Sequence, residues 1–193
     1  MKSAMTLALV CLWPALGFAG EISSAYTTYN LDKCKRISAA EEDSSGSYEC
    51  KGYGGLKVYF AEGDLRTSLA YGIRPATHCS IRQTFGHFNS VVDQIEWRLQ
   101  NGKPFAAIQR WKVSDVDDAT IVKTWLGVTR IERNNSCRVA VVEGALPDAN
   151  KKARAAADQL ARAFNCKTDQ AKVISATPIA IAELMGPTPC AAE

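Results

Sequence analysis

Apolar and polar positions alternate in short stretches through most of the chain, and the period becomes helical near the end. The clearest alternation flanks Asn101-Gly102. Asn-Gly between alternating runs predicts a two-residue type I′ hairpin, because both residues tolerate positive φ. In that register Ile95, Trp97 and Leu99 share a face with Ala106 and Ile108. The other face holds Glu96, Arg98, Phe105, Ala107 and Trp111. The second strand is thus apolar on both sides. It either lies centrally with cover on both faces or leaves part of one face as an exposed patch.

A second hairpin surrounds Glu62-Gly63. With that pair as the turn, Phe60 faces Leu65, Val58 faces Thr67 and Leu56 faces Leu69, while Lys57, Tyr59, Arg66 and Ser68 point the other way. Residues 23–31 read as a strand. Residues 122–131 and 137–143 pair around Asn134-Asn135-Ser136 in a register the pattern leaves open. Residues 39–47 are acidic and small, a turn or exposed loop. Gly52-Tyr53-Gly54-Gly55 precedes a strand and reads as a tight turn or bulge.

Over residues 149–165 the apolar positions Ala153, Ala156, Ala157, Leu160, Ala161 and Phe164 recur at helical spacing. Asp148 is placed to cap this helix. Arg154, Asp158 and Arg162 stand four apart, ready to pair on its outer face. A short strand follows at 172–176. The expected fold is α+β: a mostly antiparallel sheet built from hairpins, one long C-terminal amphipathic helix packed on it, and disulfide stabilisation.

At the other end, Met1-Lys2 precedes a nearly unbroken apolar run over 4–18 that closes on Gly17-Phe18-Ala19. This predicts a signal peptide over residues 1–19, shorter than the roughly 20 apolar residues that span a bilayer. Val10 before Cys11 does not suit lipoprotein cleavage. Removing 19 of 193 residues leaves 174, which fits one domain over 20–193 with no transmembrane segment. The formal charge of +3 falls by one with Lys2 and forms no basic stripe, which argues against nucleic acid as a partner.

Six cysteines remain after the leader: Cys34, Cys50, Cys79, Cys137, Cys166 and Cys190. An even count in an exported chain reads as a disulfide framework and implies a periplasmic or secreted location. Cys34 and Cys50 flank the acidic loop, and a bridge there contributes about 3 kcal/mol in the chain-entropy model. A strand start near a helix end brings Cys137 to Cys166. Cys79 and Cys190 are left to clip the C-terminal tail to the body.

Cys34, the stretch 50–55, Glu62-Gly63-Asp64-Leu65-Arg66, the stretch 95–99 and Pro104-Phe105-Ala106 together resemble a group of small exported proteobacterial proteins, over roughly residues 26–111. The resemblance implies a bacterial envelope setting and brings no catalytic residues with it.

Catalytic patterns are thin. His78 and His87 are the only histidines and fit no metal-binding spacing. His87 sits between aromatics in Phe85-Gly86-His87-Phe88, where it can touch a ligand or act as a base. Cys79 beside His78 suggests a Cys-His enzyme, but an oxidising compartment favours a disulfide. Asp115-Val116-Asp117-Asp118 resembles a calcium loop without its glycine or final glutamate. The basic residues Lys151, Lys152, Arg154 and Arg162 read as a solvated helix face. No cofactor or metal is expected. The expected function is binding of an envelope protein or cell-wall component, without catalysis, through Tyr59, Phe105, Trp111 and His87. The alternatives are a periplasmic hydrolase using His87, and an inhibitor of an extracellular hydrolase presenting the loop 39–47 or 84–90.

Overall fold

A computed structural model describes residues 20–39, 46–115, 117–185 and Cys190. The expected leader, residues 1–19, lies outside the described residues, as does most of the acidic loop. Ten strands are described: β1 Ile22–Thr28, β2 Lys35–Ala39, β3 Gly46–Lys51, β4 Lys57–Gly63, β5 Arg66–Gly72, β6 Asn89–Gln100, β7 Lys103–Ser114, β8 Val122–Ile131, β9 Ser136–Glu143 and β10 Lys172–Ile174. They form a six-stranded sheet in the order β1-β6-β7-β8-β9-β10 and a four-stranded sheet in the order β2-β3-β4-β5. The described pairings are antiparallel except β9 with β10, which is parallel. A parallel pair needs a crossover, and the helical segment between these strands supplies it.

The fold class is the one the pattern predicts, but the helix is short. α1 spans Ala149–Ala156 and then widens to a π-helical turn at Ala157–Ala161. The α-helix therefore stops well before residue 165. Ala149, Ala153, Ala156, Ala157 and Ala161 are buried against Ala106, Ile108, Val128, Ala140 and Val142 of the large sheet. Alanine allows this close approach. Asp148 does not cap α1. Its φ is 57°, it makes no capping hydrogen bond, and its carboxylate pairs with Lys151 at 3.1 Å. Arg154 and Asp158 do not pair along an outer face either. Asp158 takes two hydrogen bonds from Arg98, at 2.9 and 2.7 Å, and Arg154 donates to Glu96 at 2.7 Å. The helix is thus stitched to the sheet by opposite charges either side of its alanine seam. A second helix, α2, spans Ile181–Leu184. No described helix is long and apolar enough to cross a membrane.

The Asn101-Gly102 turn forms as expected, with φ of 51° and 74° and Gln100 opposite Lys103. The register then slips. Leu99 faces Pro104, but Arg98 faces Ala106, leaving Phe105 as the extra residue of a bulge. Proline lacks the N–H that a ladder needs, so pairing breaks beside it. A one-residue slip exchanges faces. Ile95, Trp97 and Leu99 therefore share the inter-sheet core with Ala107 and Trp111, while Ala106 and Ile108 turn toward α1. The expected partition is corrected in that respect. Strand β7 lies centrally, covered on both faces.

The other hairpin turns two residues later than expected. Gly63 faces Arg66, and Asp64-Leu65 forms the turn with φ of 50° and 57°. Phe60 then faces Leu69 and Val58 faces Tyr71. The register moves by an even number, so Val58, Phe60, Thr67 and Leu69 still point inward and are buried. Leu65 becomes the exposed tip.

All three expected disulfides form: Cys34–Cys50, Cys79–Cys190 and Cys137–Cys166. Three bridges fit an oxidising compartment.

Candidate functional site

The sheets meet over a core of Trp97, Trp111, Tyr71 and Phe85, and the pairing of β1 with β6 ends at Thr28 opposite Gln94. Beyond Thr28 the chain runs to a helical turn at Leu31–Lys33 and to Cys34, whose bridge to Cys50 ties it to β3. The start of β6 diverges toward β5, where Asn89 Oδ1 accepts a hydrogen bond from Thr67 N at 3.0 Å. Between these two paths opens a cleft of about 760 Å³. Its size suits a small ligand.

Phe60 and Glu62 line the cleft from the inward side of β4, and Tyr29 and Asp93 are also in its lining. The Tyr29 and Phe60 rings lie 6.1 Å apart. Lys33 and Lys51 stand at the disulfide end, and Glu62, Thr67 and Ser90 at the other. Among the described residues none of Lys33, Lys51, Glu62 and Asp93 forms an ion pair. Tyr29 is only 7% exposed, and its hydroxyl has no described hydrogen-bond partner. Burial, with Tyr71 and Asp93 nearby, pushes the phenol well above its usual range, so it remains a donor. The cleft lining thus combines cations, carboxylates and two aromatic rings, while the Tyr29 hydroxyl itself is sealed from solvent.

Deeper between the sheets, Arg138 is 1% exposed and sits 5.2 Å from the centre of the Trp111 ring. Burial lowers its pKa to about 10, which leaves it charged at neutral pH. Among the described residues no carboxylate pairs with it.

The residues singled out from sequence do not share one surface. Trp111 is fully buried in the core and is removed as a contact residue. Tyr59 is half-buried on the outward face of β4, between Glu49 and Ala70. Phe105 is half-buried on the helix side, with the Arg162 guanidinium 5.1 Å from its ring centre. His87 is half-buried between two depressions of about 210 Å³ each, both also lined by Ser114 and Asp115. No described hydrogen bond joins its ring to either. Asp115 is taken up by Lys123 at 2.5 Å, which holds its carboxyl below the usual range. Among the described residues no group of three or more His, Cys, Asp or Glu side chains could hold a metal.

His78 and Ser136 do meet: Nδ1 lies 3.1 Å from Ser136 Oγ, and Ser80 Oγ lies 2.7 Å from the same hydroxyl. This is not an open nucleophile pair, because His78 is 2% exposed and Ser136 is fully buried. It is a polar knot beneath the Cys79–Cys190 bridge. Burial lowers the His78 pKa, partly offset by the Tyr71 backbone. Below about pH 6.5 a histidine in the unfolded chain takes up a proton that folded His78 resists, so stability falls as pH drops. One site contributes at most about 1.4 kcal/mol per pH unit. Urea midpoints measured on the acid side of neutrality are expected to drop more steeply for the native protein than for His78→Gln. Equal slopes would assign the acid sensitivity elsewhere.

No family model, curated protein or solved structure matches the chain.

The cleft residues were missed in the sequence because they come from four separated segments. One signal was present: a Cys34–Cys50 bridge puts the flanking Lys33 and Lys51 side by side.

Proposed function

We propose that the chain is an exported, disulfide-stabilised envelope protein of the periplasm or medium that binds a cell-wall component or a segment of another protein. It performs no catalysis of its own, and the inter-sheet cleft is the binding site. The observation that carries this reading is the cleft itself, about 760 Å³, whose lining combines Tyr29 and Phe60 with Lys33, Lys51, Glu62 and Asp93, none of them ion-paired among the described residues. A concavity that joins aromatic surface to a few polar and charged groups is the usual make-up of a binding site. The reading replaces Trp111 with Tyr29 and Phe60 as the aromatic element of the site.

The test is calorimetric titration of the oxidised protein with solubilised wall fragments, with Lys33→Met and Asp93→Asn as variants. Each is expected to weaken binding by about tenfold or more, the cost of one buried or charge-assisted hydrogen bond. Reduction of Cys34–Cys50 removes the tie beside Lys33 and Lys51 and is expected to abolish binding. Full affinity in both variants would overturn the reading.

One observation favours the inhibitor reading as second choice. Leu65 is 63% exposed at a positive φ, and its carbonyl accepts from Asn89 N at 3.0 Å, within the loop 84–90. A bulky residue held in that conformation carries strain, and such positions cluster at clamps and binding sites. In the same experiment Leu65→Asp leaves cleft binding intact but abolishes capture of a hydrolase, if a hydrolase is the partner.

A further inference from the structure

We infer that the chain pairs with a second copy of itself through β1, the two strands running antiparallel about a two-fold axis at Ala25 and joining the two large sheets into one.

The main chain of β1 is bonded on one side. Glu21 O accepts from Asn101 N at 3.0 Å, and Tyr29 N donates to Asp93 O at 3.1 Å. In an antiparallel pair, directly opposed residues exchange hydrogen bonds at every second position. The register runs from Ile22 opposite Gln100 to Thr28 opposite Gln94, so the odd-numbered residues of β1 are the ones bonded to β6. Ile22, Ser24, Tyr26 and Thr28 turn their N–H and C=O groups away. Among the described residues none of those main-chain groups has a partner. Solvent reaches this edge, with Ile22 36% and Tyr26 51% exposed.

The other sheet edges are closed in ways this one is not. β10 ends the large sheet with only three residues. β2 carries Lys35 and Arg36, and its register shifts between Arg36 and Ser38. β5 is covered: Thr67 N donates to Asn89 Oδ1, Thr84 Oγ1 to Thr67 O, and Tyr71 N to Ser136 Oγ. Short length, charge, bulges and cover are the devices that keep an edge from pairing. β1 has seven residues, Ile-Ser-Ser-Ala-Tyr-Thr-Thr, with no charge, no proline and no register shift.

A second β1 is the occupant that fits. With Ala25 on the axis, Ile22 stands opposite Thr28 of the partner subunit and Ser24 opposite Tyr26 of the partner subunit. Every free main-chain group on both strands then gains a partner. Ala25 meets its own copy, and its small side chain leaves room there. An uncharged strand meets its copy without like-charge repulsion, whereas a charged peptide would find no counter-charge on it. The Arg154 guanidinium, which donates to the Tyr26 hydroxyl at 3.4 Å, brings its own counter-charge in Glu96. One strand pair is a small interface, so half-association is expected at about 10 to 100 µM.

The experiment is sedimentation equilibrium of the oxidised protein from about 5 to 500 µM. The native protein is expected to pass from monomer to dimer over that range. Ser24→Pro removes an N–H that bonds nothing within one copy, so pairing with β6 is kept. The dimer loses two hydrogen bonds and is expected to weaken about thirtyfold. Two further variants leave the main chain alone and use exposed positions. Ile22→Lys/Thr28→Lys sets like charges opposite each other at both ends of the strand pair and is expected to weaken association about tenfold or more. Ile22→Lys/Thr28→Glu sets opposite charges there and is expected to restore it. Ala25→Cys is expected to yield a disulfide-linked dimer on oxidation, since opposed Cα atoms in a non-hydrogen-bonded pair lie about 4.5 Å apart, within disulfide reach. Near-UV circular dichroism of each variant reports folding. A monomer at every concentration would overturn the inference. A dimer insensitive to both the proline and the lysine pair would overturn it by moving the interface elsewhere. A lysine–glutamate variant as weak as the lysine pair would exclude the two-fold register and the inference with it.

Discussion

Replacing both Cys79 and Cys190 by serine is expected to lower the unfolding free energy by about 4 to 5 kcal/mol, the largest loss from any one of the three bridges. The bridge closes 111 residues of chain, and the entropy withheld from the unfolded state grows with the logarithm of loop length. The same relation gives about 3 kcal/mol for a short loop such as the 16-residue separation of Cys34–Cys50. Among the described residues, Ile181, Leu184 and Met185 dock into the inter-sheet core, and the bridge fixes the chain again at Cys190. Cys190 N donates to Cys166 O at 2.8 Å, so the tail also leans on the third bridge. On the other side, Cys79 N donates to Asn135 Oδ1 at 3.0 Å, above the buried contact of His78, Ser80 and Ser136. Cutting the bridge therefore frees the tail and loosens the knot under it. Urea unfolding of the oxidised double variant against the native protein measures the loss. A drop below about 1 kcal/mol would mean that the unfolded state is already compact across this span, removing the entropic argument.

What could be read from the chain alone depended on whether a local rule had a competitor. Asn101-Gly102 had none, and its turn forms as the residue types require. The cysteine pairing was also legible, because strand, helix and tail order left each cysteine one convenient neighbour. Pro104 illustrates the opposite case. It sits in an alternating run, but its missing N–H interrupts the ladder and makes Phe105 the bulge, so the apolar residues beyond it change face relative to β6. Trp111 passes into the core in consequence. The Asp64-Leu65 turn needed tertiary information too, since Gly63 is the better local turn residue. Leu65 is held where it is by Asn89, and Arg66 by the carbonyl of Gly86 at 2.9 Å. The helix charges looked solvent-directed because their partners, Glu96 and Arg98, lie some 60 residues away in sequence. The cleft was hidden for the same reason. Its walls come from segments distant in sequence that the Cys34–Cys50 bridge, strand pairing and the Thr67–Asn89 hydrogen bond bring together.

The same dependence on distant neighbours underlies the second large effect, at Gly127. A glycine in a central strand ordinarily weakens it, and this one pairs with Gln109 on one side and Val141 on the other. Nothing in its neighbourhood along the chain explains it. A Cβ at this position would lie 1.8 Å from Arg138 Nη1, 2.7 Å from Cζ and 2.9 Å from Trp111 Nε1. An exposed arginine would swing away, but Arg138 is sealed between the sheets and packed on the Trp111 ring. Gly127→Ala is therefore expected to cost about 2 to 3 kcal/mol, the upper range for overpacking a core. Arg138→Met exchanges a buried cation without a carboxylate partner for an apolar side chain of similar length. Such exchanges are often neutral or stabilising, and loss of the ring contact offsets part of the gain, so a change within about 1 kcal/mol is expected. In the double variant the alanine methyl no longer meets a guanidinium, and most of the Gly127→Ala cost should vanish. That makes a coupling of about 2 kcal/mol, well outside the additivity of independent sites. Urea midpoints for the four proteins close the cycle. Simple addition of the two single effects would show that Gly127 is required by its own backbone rather than by the cation seated on it.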